Sequence, residues 1–149
     1  MKKFVFALDK VLDYKEQILE SAQGEHAIAL AQLRQQEEIL EQAWQSYRDY
    51  NEEFCEKKQS GILIVQAVMY QSGLRTLEAQ IQKETERLEQ CRAEEEKKRA
   101  AVVEARKETA SLEKLREKKL DGYKKAVQKS EELLIEEFVS AARATAPTA

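Results

Sequence analysis

The first 146 residues contain no proline, and the only proline of the chain is Pro147. Over that span apolar side chains recur at steps of three and four, first from Phe4 to Phe54 and again from Leu74 to Phe138. This spacing keeps one face of an α-helix apolar, and nothing in the backbone chemistry interrupts it. The sequence therefore predicts two long helices. The topological question is where the chain turns between them.

The stretch from Lys57 to Gly73, KKQSGILIVQAVMYQSG, answers it. Lys57 and Lys58 suit the negative end of a helix dipole, and Gly61 follows as a residue that tolerates positive φ. From Ile62 to Tyr70, eight of nine residues are apolar. A lone apolar strand has no sheet to join, so this segment reads as a hydrophobic turn opening the second helix. The predicted fold is all-α, a long antiparallel two-helix coiled coil or α-hairpin, in one domain over residues 1–149. Helix 1 is expected at about 3–59, the turn at 60–63, a longer helix 2 at 64–142 and a flexible tail at 143–149.

A turn at Gly61 sets the register. It pairs Leu8 with Leu115, Val11 with Leu112, Ile18 with Ala105 and Phe54 with Met69, apolar on both sides in each case. A turn at Gly73 would instead set Cys55 against Cys91, Val11 against Ile135 and Leu8 against Phe138. The helix-end chemistry favours Gly61, and under it the two thiols stay free. In helix 1 the apolar register shifts near Gly24, where Ile18, Ala22 and His26 make two successive steps of four, a stutter. In helix 2 the heptad that carries Leu74, Leu77, Ile81, Leu88, Cys91, Val102, Ala105 and Leu112 also puts Glu84, Glu95 and Lys98 on the seam. Such charges imply local splaying or side chains that snorkel out past the partner helix.

Composition narrows the function. Charged residues make up 36 % of the chain and the net charge is −3, with opposite signs interleaved. That balance favours neither nucleic acid nor an acidic ligand. Lys114 to Lys125 is locally basic, but Glu113, Glu117 and Asp121 dilute it, and it reads as a solvated face. The four glycines are isolated, so no phosphate-binding loop exists. His26 is the only histidine and reads as a packing residue, while the two cysteines lack metal-ligand spacing. No catalytic residue, metal ligand or cofactor site is assigned. The opening MKKFVFAL is cut short by Asp9 and Lys10 as a signal sequence. No membrane span, direct membrane insertion or nucleic-acid partner is expected.

Two surfaces invite partners. Trp44, Tyr47 and Tyr50 crowd into two helical turns and span more than one face, so they cannot all enter a two-helix seam. Leu120, Tyr123, Val127, Leu134 and Phe138 form a stripe where helix 2 outruns helix 1 and lacks an intramolecular partner over about 120–142.

The order and spacing of several segments resemble the flagellar export family FliJ. They are Phe4-Val-Phe6-Ala-Leu8-Asp-Lys-Val11-Leu12-Asp-Tyr-Lys15, the glycine nine residues before Tyr70-Gln71, Leu77-Glu78, and Leu115-Arg-Glu-Lys-Lys-Leu-Asp-Gly-Tyr123. The resemblance covers nearly the whole chain. It implies a non-enzymatic, stalk-like coiled coil at the cytoplasmic face of the inner-membrane type III export apparatus. Its partners would be the hexameric export ATPase, the membrane export gate and export chaperones. Phe4, Leu8, Lys118, Lys119, Leu120, Tyr123, Val127, Leu134 and Phe138 would face the ATPase ring. Ala43, Trp44, Tyr47, Tyr50, Leu77 and Glu84 would face the gate, although Gly73 stands where members often carry a large aromatic. A virulence secretion stalk and a self-associating coiled-coil scaffold or chaperone are the competing readings.

Overall fold

A computed structural model describes residues 2–146 of the chain. Two helices account for nearly all of them, α1 (Asp9–Ser60) and the longer α2 (Ile64–Thr145), and among the described residues there is no strand. The helices pack antiparallel as a coiled-coil hairpin. Gly61 makes the turn with φ of 92°, a conformation that a side chain would strain. Lys57 and Lys58 occupy the last turn of α1. At the start of α2 the Leu63 carbonyl accepts the Ala67 N–H at 3.0 Å. The Gln66 side chain reaches back to the Leu63 N–H at 3.4 Å, half of a capping box.

Helix 1 begins at Asp9 rather than at residue 3. Phe4, Val5 and Phe6 are aromatic or β-branched and gain little from a helix. The Asp9 N–H instead donates to the Phe6 carbonyl at 3.1 Å, closing a turn that buries Phe6, and the Asp9 carboxylate sits in the positive first turn of α1. At the other end α2 runs through Thr145, so residues 143–145 of the expected tail are helical, and 147–149 lie outside the described residues.

The chain divides into two compact units, Met1–Leu19 with Glu104–Ala149, and Glu20–Val103. In the second unit, Glu25 meets Lys98, Gln36 meets Glu84 and Glu53 meets Tyr70. In the first, Lys15 meets Glu108 and Asp9 meets Arg116. This is the register of a turn at Gly61. Gly73 lies inside α2, and Cys55 and Cys91 are free.

Several pairs of the expected seam differ: Leu8, Val11, Leu115 and Met69 are exposed, and Phe54 packs on Tyr70 instead of Met69. Leu12 is buried, whereas Val11 is exposed. Shielded positions run Leu12, Lys15 and Leu19 in the first unit and Ala22, His26, Ala29, Leu33 and Gln36 in the second. Each series alternates steps of three and four, and Ile18 beside Leu19 is half-buried too, so the two steps of four from Ile18 to His26 are also shielded. Adjacent apolar residues at 11 and 12 left the phase ambiguous, and the entry of the chain through Phe6 resolves it. Gly24 faces outward, and a Cβ there would meet nothing within 4 Å.

Candidate interaction surfaces

The second unit is held by apolar side chains from small to large, Ala29, Ala43, Phe54, Ile81, Leu88 and Val102, with polar layers set between them. Gln36 Nε2 donates to Glu84 Oε2 at 2.5 Å and to the Glu84 carbonyl at 3.1 Å, and Arg87 reaches the other carboxylate oxygen at 3.2 Å. His26 Nε2 meets Glu95 Oε1 at 3.0 Å. Lys98 snorkels outward to Glu25 at 3.1 Å, and that hydrogen bond, followed by the charge of Glu25, raises its pKa above the ordinary 10.5. Glu84, Glu95 and Lys98 thus sit on the seam as expected. Glu84 and Glu95 do so without splaying the helices, because each finds a partner across it. Gln36, buried at the centre of one layer, was not singled out by sequence; its heptad position between Leu33 and Leu40 was the available signal.

Nearer the turn an aromatic cluster fills the seam. Phe54 stacks on Tyr70 with ring centroids 5.1 Å apart, and Tyr50 lies 5.1 Å from Tyr70 on another side. The Tyr70 hydroxyl donates to Glu53 at 2.9 Å, which raises the pKa of the phenol above 10.0, and the Lys58 ammonium lies 3.9 Å from the centre of the Phe54 ring. Gly73 is explained by this cluster. A Cβ there would come within 2.7 Å of the Tyr50 ring, which occupies the space that a side chain would need.

The six positions proposed for the export gate do not form one surface. Ala43 and Glu84 are buried in the seam, and Leu77 and Tyr50 are half-buried. Trp44 is exposed and packs edge-on against Tyr47 at 5.9 Å. The Tyr47 hydroxyl donates to Glu78 at 3.3 Å, and partial burial, then the nearby carboxylate, raises its pKa. The accessible part of this set is therefore Trp44 with the edge of Tyr47.

In the first unit the segment before α1 folds over α2. Phe4 lies 5.6 Å from Tyr123, whose hydroxyl donates to the Lys2 carbonyl at 2.6 Å, and Arg116 sits 5.8 Å from the Phe4 ring while reaching Asp9 at 3.4 Å. Leu120, Tyr123 and Val127 are half-buried; Leu8, Lys118 and Lys119 are exposed. The expectation of a partnerless helix from residue 120 is thus corrected. The N-terminal segment reaches Tyr123, and every residue from Glu131 to Ala146 is exposed. Leu134, Ile135, Phe138 and Val139 make an apolar stripe there, with Leu134 63 % and Phe138 76 % accessible. Glu131, Glu132, Glu136 and Glu137 flank the stripe.

Among the described residues no group of His, Cys, Asp or Glu could hold a metal ion, and no helix is long and apolar enough to cross a membrane. No buried side-chain nitrogen or oxygen among them lacks a hydrogen-bond partner. The buried polar groups are paired within the seam. These features define a two-helix coiled-coil hairpin. The sequence model of the flagellar FliJ protein family matches residues 3–146. The chain belongs to the FliJ family, which is a family of flagellar export components. No curated protein and no solved structure matches it.

Proposed function

We propose that this protein is a non-enzymatic, stalk-like subunit of the flagellar export apparatus that promotes the hexameric export ATPase and couples it to the membrane export gate. The observation that carries this reading is the apolar stripe Leu134–Val139 on a part of α2 with no intramolecular partner. An amphipathic helix left bare in this way gains most by entering a groove or ring formed by another protein. Lys118 and Lys119 lie on the same helix, so cationic and acid-flanked apolar zones follow one another along it. Trp44 and Tyr47, an exposed aromatic pair of the kind that anchors interfaces, supply a contact for the gate. Residence at the cytoplasmic face of the inner membrane and handling of export chaperones belong to the same reading.

The test compares ATP turnover by the cognate export ATPase with the full chain and with a chain ending at Ser130. Stimulation by the full chain and its loss in the truncation are expected. Equal binding by both without any change in turnover would make the protein an adaptor instead. The same stripe could also serve self-association. Sedimentation over a range of concentrations separates that reading, which requires dimers that dissolve when Leu134 and Phe138 are replaced by serine.

A further inference from the structure

The turn end of the second unit carries a second apolar surface, which the family reading does not use. Leu63, Ile64, Val65, Val68 and Met69 are all largely exposed, with Ile64 83 % and Val65 70 % accessible. On α2 positions 64, 65, 68 and 69 are spaced three and four apart, so they line one face, while Ile62, Ala67 and Tyr70 turn toward the seam. The opening of α2 is therefore apolar on two faces, of which the hairpin covers one. In a chain that is 36 % charged, residues 59–74 contain no charged side chain, and residues 57–77 contain Lys57, Lys58 and Arg75 but no carboxylate. The nearest carboxylates lie back along α1, where Glu53 is engaged by the Tyr70 hydroxyl and Glu56 directly precedes the lysine pair.

We infer that this end seats in the interface of an anionic lipid bilayer, with the aliphatic side chains at the headgroup and acyl boundary and Lys57 and Lys58 at the phosphates. Three observations select a lipid surface as the occupant. The first is shape: a two-helix turn is a convex end, and a fluid lipid surface needs no preformed complement to receive it. The second is chemistry, since the large exposed side chains there, Leu63, Ile64, Val65, Val68 and Met69, are uncharged and non-aromatic, with Gln59, Ser60 and Gln66 as the polar side chains exposed among them, unlike the aromatic pair Trp44 and Tyr47. The third is depth. Lys57 lies four residues before Gly61, about 6 Å along the helix, within the roughly 5–10 Å over which interfacial segments sink their apolar face. Shallow seating requires no membrane span, and it revises the sequence expectation that no part of the chain enters the bilayer. The inference is independent of the export reading, because vesicles contain no export component.

The experiment is flotation of the full chain with vesicles of phosphatidylglycerol and phosphatidylcholine in equal parts, against phosphatidylcholine alone. Binding to the mixed vesicles is expected, weakened at least tenfold by Ile64→Ser with Val65→Ser. Lys57→Gln with Lys58→Gln should weaken binding about fivefold per lysine on the mixed vesicles and leave phosphatidylcholine unaffected. Both substituted pairs are exposed, so unchanged helicity by circular dichroism is expected alongside. In Ile64→Trp the emission should shift to the blue on adding mixed vesicles. The unsubstituted chain, whose Trp44 lies about 24 Å back from the end of α1, should show no shift. Absence of flotation overturns the inference, as does flotation that survives the turn substitutions or disappears when the chain ends at Ser130. Loss of binding to purified gate protein through the same substitutions, with no vesicle binding, would assign the turn to a protein groove and also overturn it.

Discussion

The chain leaves two apolar surfaces uncovered, and they differ in what lies behind them. At the turn the exposed Ile64, Val65 and Val68 stand on a backed structure, in which Tyr50, Phe54 and Tyr70 fill the seam directly beneath. The stripe from Leu134 to Val139 stands on a single helix, with residues 131–146 exposed all round. Their surroundings differ too, uncharged with lysines behind at the turn and flanked by four glutamates at the stripe. A backed surface is ordered before its partner arrives and pays no further entropy. A solitary helix is only as ordered as its own propensity makes it, and isolated helices are marginal in water. Equal apolarity therefore does not make equal binding sites.

The contrast is sharpest if the backing is removed. Phe54→Ala should destabilise the protein by about 3 kcal/mol in urea unfolding and speed amide exchange over residues 62–70, while exchange over 131–146, already fast, stays as it is. Next in size is the polar layer. Glu84→Ala leaves the buried Gln36 amide without its main acceptor and should cost about 2 kcal/mol. Replacing both Gln36 and Glu84 by leucine should be nearly neutral in stability but admit other association states, visible by sedimentation.

A smaller effect follows from alkaline titration. Lys15 is held protonated above its ordinary 10.5, first by the hydrogen bond to Glu108 and then by its charge. Lys98, Tyr47 and Tyr70 are also raised. Groups with raised folded values contribute fully below the unfolded value and lose the contribution as pH rises through the folded one. Stability should thus be flat to about pH 10 and fall above it. Exchange should loosen residues 20–103, which hold three of these groups, before residues 2–19 and 104–146, which hold one. The smallest effect on folding is expected from Leu134→Ser with Phe138→Ser, within about 0.5 kcal/mol in urea. A larger loss would mean that the stripe is covered within the chain after all, and the comparison would fail.

Much of this architecture was legible in the sequence because it depends on local chemistry. Gly61 with Lys57 and Lys58 marked the turn, and the heptad of α2 correctly carried Glu84, Glu95 and Lys98 into the seam. What could not be read locally was pairing and depth. His26 and Gln36 became partners of Glu95 and Glu84 only once the register was fixed across two helices. The choice of Leu12 over Val11 depended on how Phe6 enters, and the irregular start at Phe4–Phe6 depended on Tyr123, more than a hundred residues away. Eight apolar residues in nine at Ile62–Tyr70 gave composition but not exposure, since exposure depends on what fails to pack there. Of the surface residues named for partners, Trp44 and Phe138 are exposed; Ala43 and Glu84 belong to the seam.

The shielded alanines of α1, Ala22, Ala29 and Ala43, fall at multiples of seven residues, with Gln36 in the remaining place. A row of single methyl groups lets two helices approach closely but gives them little to interlock with. Along this row, resistance to one helix sliding past the other then falls to cross-links such as Gln36–Glu84, His26–Glu95 and Glu25–Lys98, which act like the pins of a ratchet. Pulled along its axis, the row of alanines would give at those pins first, while the interlocked rings of Tyr50, Phe54 and Tyr70 hold the turn end by their packing.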